Sequence, residues 1–160
     1  MKRKKKTLAE RKETVKYWRD KADILFSELE RKTVGHCQIC SKLGLARKGD
    51  GAMIKGLHIH HIIERDWYRY RYRRNNTIVV CVGCHGSMAN YRNRSCSAHG
   101  SLIAQDLFYA IAWDKFPEKK EFYELHKPEG KTEKDENGHV VVYKSAYYKE
   151  IFEALNANKT

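Results

Sequence analysis

The sequence predicts an α+β fold, and three observations predict it. Apolar residues recur at helical spacing near the N-terminus and again beyond residue 101. Two short apolar runs, 57–63 and 77–80, read as an antiparallel pair of strands. Two Cys-x-x-Cys pairs, Cys37/Cys40 and Cys81/Cys84, bracket those runs. The chain thus divides into a basic arm and helix over 1–35, a core over 36–100 and a mainly helical extension over 101–160.

In order, Lys2 to Lys6 form a cationic arm, and Thr7-x-x-Glu10 fits a capping box that opens a helix. Leu8, Val15, Trp18, Ala22, Leu25 and Leu29 make one apolar stripe along it, and Gly35 ends it. His36 to Cys40 is a tight knuckle, and 42–55, with three glycines, is a loop. Between the strands lies 64–76, where Trp67 to Arg74 alternates aromatic and cationic residues. Read as an extended segment, it puts Arg69, Arg71 and Arg73 on one side and the tyrosines on the other. Beyond Cys84, 85–94 suits a short polar helix. A second amphipathic helix spans 101–113, with Leu102, Ile103, Leu107, Ala110 and Ile111 on its apolar face. Pro117 opens a third, Asn137-Gly138 marks a turn before a strand at 139–143, and 145–155 is a final helix.

Composition narrows the function. The net charge of +12 is uneven: residues 1–100 carry 23 Lys and Arg against 9 Asp and Glu, whereas 101–160 carry 9 against 11. A polyanion-facing surface therefore belongs to the first hundred residues. No apolar run approaches the roughly 18 residues of a membrane span, and the basic N-terminus lacks the apolar segment of a secretory signal. A cytoplasmic protein with no membrane partner is expected. In a reducing compartment, paired Cys-x-x-Cys motifs read as thiolate ligands rather than disulfides. Cys37, Cys40, Cys81 and Cys84 are therefore expected to hold a structural zinc ion, tetrahedral at about 2.3 Å. Mean hydropathy of −0.76 implies a modest core that such an ion would help to stabilise. Cys96 reads as a lone, partly buried thiol rather than as a ligand paired with His99.

His60-His61 at the end of the first strand, Asn76 ahead of the second, and Cys81-Val-Gly-Cys84-His85 together resemble the HNH nucleases, over about residues 36–90. The resemblance implies a ββα-metal core, in which His61 is the general base and Asn76 holds it. It also implies that His60 and His85 grip a divalent cation. The glycines and proline common in that family's loop are replaced here by Glu64-Arg-Asp-Trp-Tyr, and many members have Asp where His60 stands. Two imidazoles and no carboxylate favour Mn²⁺, Co²⁺, Ni²⁺ or Zn²⁺ over Mg²⁺ alone. His58 reads as an ordinary strand residue, and Glu64 or Asp66 as a lesser candidate for the metal shell.

The reaction implied is hydrolysis of DNA phosphodiester bonds, nicking one strand per site, with double-strand cleavage requiring a homodimer or two successive events. Arg69, Arg71, Arg73, Arg74, Arg92 and Arg94 are the expected contacts to double-stranded DNA. The size resembles free-standing endonucleases of bacteriophages and mobile elements, which act in the bacterial host cytoplasm. The alternative is a non-catalytic, zinc-containing module that binds nucleic acid.

Overall fold

The computed structural model describes residues 14–42, 45–46, 54–86 and 96–158. The lysine arm, the capping box, Arg92 and Arg94 lie outside the described residues, as do most of the 42–55 loop and the end of the helix expected at 85–94. The chain falls into two compact units, residues 27–133 and residues 1–26 with 134–160. No helix among the described residues is long and apolar enough to cross a membrane.

Helix α1 (Val15–Val34) contributes to both units. Thr14 caps its start, its hydroxyl accepting from the Tyr17 N–H at 3.2 Å. Gly35 ends it in the left-handed region, at φ 71°. Ala22 and Leu25 of the predicted stripe are buried, together with Phe26, while Val15 is exposed.

The centre of the larger unit is a two-stranded antiparallel sheet. Strands β3 (Leu57–His61) and β4 (Thr77–Cys81) pair with His60 opposite Ile78 and His61 opposite Thr77. A second, two-residue hairpin pairs β1 (Leu45–Ala46) with β2 (Ile54–Lys55). Every residue of β4 is buried, as its unbroken run Ile78-Val79-Val80 demands. Ile39, Leu57, Ile62 and Phe108 pack in the same core. Gln38 joins the first knuckle to β4. Its N–H donates to the Val79 carbonyl at 2.8 Å, and its side-chain oxygen accepts the Val79 N–H at 2.7 Å. Helix α2 (Val82–His85) follows β4 directly and stops at Gly86, φ 68°.

The 64–76 segment does not run extended. It folds into two 3₁₀ turns, Tyr68–Tyr70 and Arg74–Asn76, so the arginine–tyrosine alternation does not sort onto two faces. Helix α3 (Leu102–Lys115) is rotated from its expected setting: Ala104, Phe108 and Ala112 are buried, whereas Leu102, Ile103 and Leu107 are exposed. Small residues one turn either side of Phe108 let the helix approach closely enough for that ring to fill the core. Helix α4 (Pro117–His126) buries Lys119, whose ammonium donates to the Arg74 and Thr77 carbonyls at 2.8 and 2.9 Å.

In the smaller unit, helix α5 (Ser145–Ala157) buries Tyr148, and Phe152 meets Trp18 at 5.8 Å between ring centroids. The turn at Asn137-Gly138 forms, with the Asp135 carboxylate accepting from the Asn137 and His139 N–H groups. The strand expected after it does not. An isolated Lys134–Val140 bridge, beside the Asp135 N–H donating to the His139 carbonyl at 2.9 Å, is the only β-bridge among the described residues there.

Candidate metal and catalytic site

Two side-chain clusters flank the sheet, and both include ligands supplied by the β4–α2 junction. In the first, the sulfurs of Cys37, Cys40, Cys81 and Cys84 all lie within 4.8 Å of one another. Each knuckle turns its second cysteine's N–H onto the first cysteine's sulfur. Cys40 N to Cys37 Sγ and Cys84 N to Cys81 Sγ are both 3.5 Å. Such bonds stabilise thiolate, the form that binds metal. The Cys37 thiol is pushed down to about 4 by its hydrogen bond with Cys84, with backbone N–H groups assisting. The Cys84 thiol is pushed up by the same bond. Four sulfurs at this spacing, with one already inclined to ionise, fit a zinc ion. Lys115 closes the first knuckle from outside, donating to the Ile39 carbonyl at 2.8 Å.

The second cluster is imidazole. Ring nitrogens of His60, His85 and His99 lie within 4.8 Å of one another. His60 is 4% exposed, and its Nε2 sits 3.1 Å from the Tyr109 hydroxyl of α3. Burial first, and the neighbouring His99 and His85 next, push His60 down to about 3. The same causes, burial and then His99, bring His85 to about 4. Both rings are neutral at physiological pH, which is the ligand form. The Nδ1 of His85 is buried with no hydrogen-bond partner. A cation accepting that lone pair would remove the desolvation cost, so these residues fit a metal ion. His58 stacks beside His85 at 5.2 Å but lies outside the cluster.

His61 lies next to His60 yet plays a different part. Strand β3 ends at His61, so both rings line one cleft of about 350 Å³, together with Ile59, His85, His99, Glu64 and Arg65. His61 Nε2 is 3.0 Å from the Arg71 carbonyl. A carbonyl only accepts, so Nε2 carries the proton and Nδ1 the lone pair.

Asn76, fully buried, does not touch His61 in any of its three side-chain bonds. Its Oδ1 accepts the Ile63 N–H at 2.7 Å, and its Nδ2 donates to the Ile63 and Tyr70 carbonyls, each at 3.1 Å. It thereby pins the loop one residue from the carbonyl that holds His61. Asn75 is exposed and takes no such place.

The predicted DNA-contacting arginines divide. Arg71 is buried and donates to the Arg65 carbonyl at 2.7 Å. Arg69 is turned inward onto the Gly130 carbonyl at 2.8 Å and Glu129 at 3.2 Å. Arg71 is held by the loop's own backbone and Arg69 by residues 129 and 130, so the expected outward row of arginines does not form. Arg73 is exposed. Arg74 keeps a largely exposed side chain, although it bridges buried Glu30 at 2.7 Å. Glu64 and Asp66 are taken by Lys127 and Lys131 instead of the metal shell.

Two residues at the site, Tyr109 and Arg65, escaped sequence reasoning, and His99 was weighed only as a partner of Cys96 and set aside. His99 and Tyr109 lie beyond the motif's spacing. Arg65 could have been found as the first cation after the paired histidines.

Comparison with known proteins agrees with this geometry over one segment: the HNH endonuclease family model matches residues 37–90. No curated protein and no solved structure matches the chain.

Proposed function

We propose that the protein hydrolyses DNA phosphodiester bonds with the help of a divalent cation, from the premise that residues 37–90, which match the HNH endonuclease family model, form a domain of that kind. The observation that supports this best is the cleft itself. One wall presents an imidazole whose tautomer is set by a backbone carbonyl, and beside it stand neutral imidazoles suited to a cation.

His61 Nδ1 accepts a proton from water as the water oxygen attacks phosphorus. The P–O3′ bond then breaks, leaving a 5′-phosphate and a 3′-hydroxyl once the leaving oxygen is protonated. His60 and His85 hold the cation, with Tyr109 fixing the orientation of the His60 ring. A bound cation would stabilise the negative charge that develops on the phosphate and leaving oxygens. Asn76 acts through the loop, keeping the Arg71 carbonyl in place. Arg73 and Arg74, with Arg92 and Arg94, supply phosphate contacts, and Arg65 supplies a cation in the cleft. Zinc fills the four-cysteine cluster. One such cleft engages one scissile phosphate, so nicking is the expected product, and a double-strand break needs two copies or two events.

A plasmid-relaxation assay tests this, run with the wild type and His61→Ala, in EDTA and after adding back Mg²⁺, Mn²⁺, Ni²⁺ or Zn²⁺. Metal-dependent nicking lost in the variant supports the nuclease. DNA retardation on a gel without cutting in any metal would instead favour a zinc-containing binding module.

A further inference from the structure

The imidazole cluster has a third member whose position in the chain lies outside the HNH segment. His99 follows the matched region by nine residues, on the turn that leads into α3. Its ring centroid lies 5.1 Å from that of His60 and 4.8 Å from that of His85, which are themselves 5.8 Å apart. All three rings are therefore mutual neighbours.

The turn that carries His99 is fastened to the helix that carries His85. The Ala98 N–H donates to the Cys84 carbonyl at 2.9 Å, and the Ser97 N–H donates to the Ala104 carbonyl at 3.0 Å. Gly86, the residue after His85, lies so close to Ser97 that a Cβ there would fall 1.9 Å from Ser97 Oγ. Ser101 caps α3, and Gln105 reaches back to the Gly100 carbonyl at 2.9 Å. His99 is thus held from both sides, on backbone tied to Cys84 and to α3.

We propose that His99 is a third protein ligand of the divalent cation, giving a three-imidazole set. His60 comes from β3, His85 from α2 and His99 from the turn before α3. No carboxylate belongs to the cluster among the described residues. Glu64, the acidic residue lining the cleft, gives both oxygens to Lys127 at 2.9 Å. Three imidazole nitrogens with coordination positions left for water and phosphate suit Co²⁺, Ni²⁺ or Zn²⁺ and discriminate against Mg²⁺. The inference relies on the nuclease reading only in supposing that a cation enters this cleft.

The test is metal binding, measured without DNA. The full chain, loaded with one equivalent of Zn²⁺, is titrated with Co²⁺ by calorimetry and visible absorption, comparing the wild type with His99→Ala, His99→Gln and Tyr109→Phe. Loss of an outer-sphere partner costs roughly 10–100-fold in metal affinity. Tyr109→Phe should fall in that range and both His99 variants should exceed it, with altered Co²⁺ d–d bands. Far-UV circular dichroism checks that the variants stay folded, and the glutamine variant keeps the volume if alanine does not. His99 variants that are folded and bind Co²⁺ with wild-type affinity and spectrum overturn the assignment, as does a wild type that takes up no second ion. A wild type that takes up the second ion through His99 yet cuts no DNA overturns the nuclease reading alone.

Discussion

Asn76→Ala gives the sharpest stability test of the way the loop positions His61. The side chain makes three hydrogen bonds, to the N–H and carbonyl of Ile63 and to the carbonyl of Tyr70, and both Asn76 and Ile63 are fully buried. Each bond contributes roughly 1 kcal/mol net, and truncation also strands the buried Ile63 N–H, worth about 1–3 kcal/mol. The variant should lose about 4–6 kcal/mol, a large share of the ~5–15 kcal/mol that holds a typical domain. With a urea dependence of about 2 kcal/mol per molar, the unfolding midpoint would fall by roughly 2–3 M. Equilibrium unfolding followed by tyrosine and tryptophan fluorescence measures this. Nicking, measured at a denaturant-free temperature where the variant is folded, should also drop, because the Arg71 carbonyl no longer stays under His61. A loss below about 1 kcal/mol, with nicking unchanged, would refute the account of Asn76 as the pin of this loop.

Three further outcomes follow from the same geometry. Gly86→Ala should destabilise by about 2–4 kcal/mol, from left-handed backbone and overpacking against Ser97, whereas Ser97→Ala should be neutral or stabilising, since its buried hydroxyl has no partner; thermal melts of both decide. Glu64 and Asp66 are held below the usual carboxylate range by Lys127 and Lys131, and Glu129 by Tyr70 and His126. Their folded values are depressed, so the stability they give is present above roughly pH 4 and disappears as pH falls through the folded values; Glu64→Gln with Asp66→Asn should flatten the acid limb of Tm against pH. Arg73→Ala should lower DNA affinity and reduce the slope of log affinity against log salt by about 0.9. Arg71→Ala should instead lower Tm, because that guanidinium is buried on the Arg65 carbonyl.

The thiolate and histidine motifs were legible because fixed local spacing is what they require. Each Cys-x-x-Cys here turns the second cysteine's N–H onto the first cysteine's sulfur, and His85 directly after Cys84 rides on the same short helix. The strand pair was legible from its apolar runs, and the break after His61 from the need to bring two adjacent histidines to one cleft. His99 was not, because thirteen residues separate it from His85 and only the docking of Ala98 and Ser97 brings the rings together. The arginine–tyrosine run misled because its period of two is a strand signal, while the winning influences are not periodic. Asn76 bonds the Tyr70 carbonyl, and Tyr70 packs against Phe122 and His126 of α4. In α3 the bulky aliphatic residues Leu102, Ile103 and Leu107 lie on the face that stays in water, whereas Tyr109, Ile111 and Trp113 pack partly buried against the core. The buried face is decided by one aromatic between two alanines, a shape that counting hydrophobic residues cannot detect.

Helix α2 is only four residues long, and it links the two clusters covalently: Cys84 and His85 are consecutive residues. One short helix thus places both the Cys84 sulfur and the His85 ring, so a substitution that shifts that helix disturbs both clusters at once.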